Sequence, residues 1–211
     1  MSSSPPRERY RAQVRAEVKE HAWAQIAEAG ASALSLNAIA KKMGMSGPAL
    51  YRYFANRDEL ITDLVTDAYR QLVDAFRAAV EAKGSEPVVI AHAMRDWALA
   101  HPQRYFLIYG TPIPGYHAPP QTRDIAAELM NMLLAALRNH RPGEKTPFDE
   151  HLDTHRDWAG TDDPPETLRT ALRLWARMHG VISLEIAGHF DTMGFDTTLF
   201  FESEVDAMLE R

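Results

Sequence analysis

Tyr51-Arg52-Tyr53-Phe54 places two phenols, a guanidinium and a phenyl ring in consecutive positions, directly behind Gly47-Pro48-Ala49-Leu50. Phenol hydroxyls and guanidinium groups donate hydrogen bonds to phosphate oxygens and base edges, which is the chemistry of nucleic-acid contact. Gly47 and Ala49 are small enough to let a backbone approach bases, and the Ala49 methyl suits a thymine methyl. Leu50 and Phe54, four apart, share a helix face and turn inward. Arg57, at the start of the next helix, is placed to hold a flanking phosphate beside that helix's positive end. The same residues also allow a plain helical hairpin, with half-buried tyrosines and a solvated arginine.

Other residue sets carry less. His151 and His155 lie four apart with Asp149, Asp153 and Asp157 between and around them. On a helix such a pair could chelate zinc with a carboxylate, as a metal-dependent hydrolase would need. The general-base glutamate of H-E-x-x-H is missing, however, and the surrounding segment reads as a charged loop. His179 and Glu185 sit on an apolar helix, where His179 reads as a core histidine. No Gly-rich phosphate loop or nucleophile elbow occurs, and the absence of cysteine removes thiolate chemistry and disulfides. We expect no enzyme activity, no cofactor and no metal.

The elements that position these residues are helical. Val14, Val18, Ala22 and Ile26 recur every four residues and predict a helix over 7–29 closed by Gly30. Ser35 caps a short second helix that buries Leu36, Ile39, Ala40 and Met43 and stops at Gly44. Ser46 and Pro48 open a third. Asn56 with Glu59 resembles a capping box opening a long fourth helix to Lys83-Gly84. Further helices are expected from Ser85-Pro87 to His101-Pro102, then to Tyr109, over 121–140, from Asp163 to Gly188, and over 196–210. GTPIPGYHAPP (110–120) forbids regular structure, and 141–163 reads as a long surface loop with room for one short helical turn. No stretch alternates as a strand does. The fold class is all-α.

The 211 residues can bury a sizeable core, and no run reaches the ~18 apolar residues of a membrane span. A cytoplasmic protein is expected, with no membrane partner. Residues 1–60 hold nine Lys/Arg against six Asp/Glu, although the whole chain carries a net charge of −6. A basic head on an acidic body is consistent with a polyanionic partner for the head.

Two short helices joined by a Gly-containing turn describe a helix-turn-helix, whose second helix enters the major groove. The segment from Ala33 to Leu64 resembles the DNA-binding domain of the tetracycline-repressor (TetR) family of bacterial transcription regulators. The residues that carry the likeness are Ala40 and Gly44, then Leu50, Tyr51, Tyr53 and Phe54, then Asn56, Arg57 and Leu60. The resemblance implies that Ser35 and Asn37 touch the DNA backbone, that Gly47, Ala49, Tyr51 and Arg52 face the groove, and that Tyr53 and Arg57 hold phosphates. It also implies a division into a helix-turn-helix domain, 1–58, and a ligand-binding and dimerisation domain, 59–211. The expected function is a ligand-responsive repressor acting as a homodimer on a pseudo-palindromic operator in double-stranded DNA.

LWARMHGVISLEIAGHF, with Trp175, His179 and Gly180, resembles a subgroup of that family marked by Trp and His-Gly in the penultimate helix. Two terminal helices this apolar would leave an exposed patch unless paired across a two-fold, which points to a dimer interface at Leu172, Trp175, Met178, Ile182, Phe200, Phe201 and Val205. Rings and methionines on the middle helices (Met94, Trp97, Tyr105, Tyr109, Met130, Leu133 and Leu134) are candidates for a pocket that takes an apolar or aromatic effector. A small helical carrier protein that uses such a pocket without DNA is the alternative from a different class.

Overall fold

The computed structural model describes residues 5–141 and 143–209, and among these every regular element is a helix. The described residues form two compact units, one of residues 5–68 and 103–120, the other of 69–102 and 121–209.

The first unit begins with α1, Pro6–Ala29, whose spaced apolar residues Val14, Val18, Ala22 and Ile26 are all buried. α2, Leu36–Lys42, is capped by the Ser35 hydroxyl, which accepts from the Ala38 amide at 3.3 Å. It ends with paired hydrogen bonds from Met45 N–H to the Ala40 carbonyl and from Gly44 N–H to Lys41. This closure needs a left-handed residue at its bend, and Gly44 supplies it with φ of 67°. α3 is shorter than the pattern suggests. Its α-helical part is Gly47–Leu50, after which Arg52 and Tyr53 bond to carbonyls three residues back. The tightened turn brings Phe54 into the core beside Leu50, and neither side chain is exposed. α4, Arg57–Lys83, starts where the Asn56 side chain accepts from Glu59 N–H at 2.8 Å, while Glu59 reaches back to the Ala55 amide. α6, Pro102–Tyr109, apart from its first residue, and the Pro-rich segment after it complete this unit. There Tyr116 and Thr62 share a hydrogen bond of 3.1 Å, and Arg104 lies 5.0 Å from the Trp23 ring.

The second unit contains the C-terminal part of α4 with α5, Pro87–Ala100, and α7, Pro120–Leu137, apart from the first residue of α7. α8, Pro147–Thr154, α9, Pro165–Ile186, and α10, Thr197–Leu209, follow. α9 is its hub, packed against α5, α8 and α10. Within it Arg95 and Glu185 form a buried two-point ion pair of 2.8 and 2.6 Å, with Thr197 and Thr198 also accepting from Arg95. Burial works to raise the Glu185 carboxyl, but bonds from Arg95 and Thr197 and the charge of Arg95 outweigh it and hold the group below its ordinary range.

The surface loop expected over 141–163 is corrected. It contains α8 and a 3₁₀ turn at Asp157–Ala159. Thr146 and Asp149 form a capping box, and Asp149 is fully buried at 3.1 Å from Arg169. The reason is energetic. A carboxylate accepts burial when amide donors and a guanidinium surround it, and the helix start then becomes part of the core.

Candidate nucleic-acid interface

The reader is built from the Ser35 cap upward. Capping by the hydroxyl fixes the start of α2, and the Ser35 amide donates to the buried Gln25 side chain of α1 at 3.0 Å. Asn37, near the start of α2, is exposed, and its Oδ1 would lie 3.3 Å from a Cβ added at Gly47. α2 and α3 thus meet where the two expected DNA-facing stretches begin. Within α3, Ala49 is half-buried; beyond it, Tyr51 and Arg52 are exposed and Tyr53 is half-buried. All of these side chains fall within the first unit, on consecutive turns of its helix-turn-helix.

Two arginines hold this surface from behind. Arg15 of α1, absent from the expected site residues, donates to the backbone carbonyl of Tyr53. It also pairs with Asp63 at 2.5 Å and Glu59 at 3.3 Å, and its guanidinium stands 4.0 Å over the Phe54 ring. One cation therefore ties α1, the end of the α3 turn and α4 together. Its only sequence signal was a charge one position beyond the buried Val14.

Arg57 is engaged inside the protein. Its Nε donates to the Leu34 carbonyl at 3.2 Å and its Nη2 to the carbonyls of Ala31 and Ser32 at 3.0 and 3.2 Å. These three carbonyls belong to the turn joining α1 to α2, so most of the fork is spent inside the protein rather than directed at a phosphate. The cause is geometric. The Ala31 carbonyl already accepts from the Leu34 amide of a 3₁₀ turn, and a planar fork adds bonds to it and to the carbonyls of Ser32 and Leu34 at once.

The candidate effector residues fall into both units. Met94, Leu133 and Leu134 are fully buried in the second unit, Trp97 nearly so, and Met130 half-buried. Tyr105, buried, and Tyr109, half-buried, belong to the first unit. Of the expected dimer residues, Leu172, Trp175 and Phe200 keep part of their surface. Met178, Ile182, Phe201 and Val205 are a correction, since each is buried in the core of its own unit and has no face to offer a second copy. The apolar surface on this side is instead Leu184, Phe195 and Leu199. His179 stands edge-on to Trp175 at 4.6 Å, and burial pushes its imidazole down to about 4. His151 and His155 stack face to face at 4.0 Å, while Asp149 and Asp153 turn to Arg169 and Arg156.

Comparison with known proteins decides the family. A family model described as tetracyclin repressor-like, C-terminal domain, matches residues 88–208, and one described as bacterial regulatory proteins, tetR family, matches 20–64. The chain belongs to the TetR family. This TetR protein is a DNA-binding transcriptional regulator. It is 34% identical over 195 residues to the HTH-type transcriptional regulator Rv1816 of Mycobacterium tuberculosis, with 85% of this chain and 83% of the relative covered. The solved structure of SCO4313, a candidate regulatory protein, is 59% identical and superposes with a TM-score of 0.91, covering 98% of this chain and 100% of that one. The TetR family transcriptional regulator PfmR from Thermus thermophilus, at 16% identity, shares the fold with a TM-score of 0.61 over 91% of this chain and 96% of that one. No helix among the described residues is long and apolar enough to cross a membrane.

Proposed function

We propose that this TetR regulator is a ligand-responsive repressor that acts in the cytoplasm as a homodimer on a pseudo-palindromic operator. The observation that carries the reading is the outward set on α2 and α3. Tyr51 and Arg52 are exposed beside Asn37 and Gly47, on a turn anchored from behind by Leu50, Phe54 and Arg15. Residues 1–58 act as the reader and 59–211 as the sensing and pairing domain, of the subgroup with Trp175 and His179-Gly180. Ser35, Asn37, Gly47, Ala49, Tyr51, Arg52 and Tyr53 meet the DNA, with Arg57 supporting them. Two readers about one helical turn apart, ~34–36 Å, fit adjacent major grooves.

Pairing uses the open face of α9 and α10, where a groove of about 530 Å³ is lined by Val181, Leu184, Phe190, Phe200 and Met208. Covering such a surface with its two-fold mate removes an apolar patch from water. An apolar or aromatic effector binds in the second unit among Met94, Trp97, Met130, Leu133 and Leu134. The buried Trp97 Nε1–H, which has no acceptor among the described residues, supports a ligand with a hydrogen-bond acceptor. A ligand that favours the body conformation with readers at the wrong spacing releases DNA.

The test is a duplex selected by the purified protein from a randomised pool. Arg52→Ala should weaken binding to it and flatten the ranking of its single-base variants. An unchanged ranking and affinity would remove Arg52 from the reader.

A further inference from the structure

A surface groove of about 710 Å³ runs beside the reader, lined by Pro6, Arg7, Tyr10, Arg11, Arg52 and Tyr53. Four of these residues come from the first two turns of α1, and Arg52 and Tyr53 come from the turn that ends α3. Nothing in the helix-turn-helix reading calls on residues 6–11.

The charges here differ from those of the chain's ion-paired arginines. Arg15, Arg57, Arg77, Arg95, Arg138 and Arg169 each have a carboxylate within 4.0 Å. Arg7, Arg11 and Arg52 are exposed, and among the described residues none has a carboxylate within that distance. Arg11 instead stands 6.0 Å over the Tyr53 ring, and Tyr10, 63% exposed, holds its phenol in solvent. Three cations without internal ion-pair partners, with two phenols between them, converge on one groove that continues the proposed DNA-facing surface.

We propose that this groove is a second DNA contact, which holds the sugar-phosphate backbone beyond the bases that α3 reads. Guanidinium forks and phenol hydroxyls hydrogen-bond phosphate oxygens without reference to base identity. The groove therefore adds affinity and footprint length and no sequence preference. Arg52 lies at the junction, since it lines the groove and is also assigned to the base-reading set. The inference rests on the assignment of α3 as the reader.

The experiment uses the full chain and a duplex selected by the parent from a randomised pool, then shortened stepwise from both ends. Arg7→Ala/Arg11→Ala leaves exposed helix positions filled by the best helix former, and circular dichroism checks that the fold is kept. Each phosphate contact contributes about 0.9 to the slope of log affinity against log salt, roughly threefold between 50 and 200 mM. The double variant should therefore lose about 1.8 of slope per protomer, and Arg7→Lys/Arg11→Lys should restore most of it. Trimming the flanks should weaken the parent and lower its salt slope by about the same 1.8 per half-site, and should leave the alanine variant unmoved. A variant with the parent's slope and the parent's sensitivity to trimming overturns the groove. If Arg52→Ala still loses base preference in that case, the α3 reading stands without it. If Arg52→Ala keeps the preference too, both assignments fall.

Discussion

The guanidinium of Arg57, at the head of α4, is hydrogen-bonded to the backbone carbonyl of Leu34, the residue that leads into α2. With Ala31 and Ser32 also accepting, one side chain closes the gap between the end of α1, the start of α2 and the start of α4. Arg57 is thus a staple of the reader. Arg57→Ala should lower the free energy of urea unfolding by about 1–2 kcal/mol, the loss of charge-assisted bonds to partly solvated carbonyls. Arg57→Lys keeps the charge but cannot span three carbonyls, so it should be destabilised almost as far. A Lys variant as stable as the parent, with only Ala impaired in DNA binding, would return the residue to a phosphate role.

The Arg95–Glu185 pair predicts strong non-additivity. Both side chains are about nine-tenths buried, and removing either leaves the other charged without its partner. Glu185→Leu and Arg95→Leu should each cost about 3–5 kcal/mol, whereas the double variant should cost far less than their sum. Chemical denaturation of the four proteins closes the cycle. Additive losses would mean that the two groups are stabilised separately.

Much of the reader was legible because short-range chemistry dictates it. Ser35 must cap, Gly44 must take the left-handed bend, and Leu50 and Phe54 must face inward; each depends on neighbours within a few residues. The internal bonds of Arg57 were hidden because its acceptors lie over twenty residues upstream, in a turn whose carbonyl directions no local pattern reveals. α8 was hidden similarly. Thr146-x-x-Asp149 is a helix-start signal, but the density of charge around it reads as solvent exposure until Arg169 is known to stand opposite. Four of the seven expected dimer residues were misplaced for a third reason. α9 is apolar on several sides because α5, α8 and α10 all cover it, and periodicity alone does not say which apolar side is left over.

His179 gives the body a pH dependence of definite sign. Its imidazole is lowered from 6.5 to about 4 by burial, so the unfolded chain binds its proton first. Stability is full above about pH 6.5, falls as the pH drops from there to about 4, and levels off once the folded state is protonated too. The fall should amount to about 3 kcal/mol, and His179→Leu should remove that part of the slope. Denaturation measured at intervals from neutral pH down to about 4 reads it directly. A parent and variant with parallel pH profiles would show that the histidine takes up its proton freely in the folded chain.

Pairing through α9 and α10 should be sensitive to their outward apolar residues. Leu184 and Leu199 are 43% and 64% exposed, so neither is needed by the core. Leu184→Glu/Leu199→Glu should shift the chain to monomer in light scattering at micromolar concentration, while its helical content is unchanged. The same variant should bind a single half-site with the parent's per-protomer preference and lose the advantage of the full operator. A dimer that survives the change lies on another surface.

Gly47 has an ordinary backbone; what confines it is space, because an added methyl would stand 3.3 Å from the Asn37 amide oxygen. A side chain at 47 would therefore ask the Asn37 amide to shift by a few tenths of an ångström, so a change at 47 is coupled to the residue at 37. Ala49, Tyr51 and Arg52 carry no such tie. A programme to retarget this regulator to a new operator could randomise those three independently, and would have to vary 37 and 47 jointly. Natural drift in operator preference should follow the same route, with single steps at the free positions and paired steps at the coupled one.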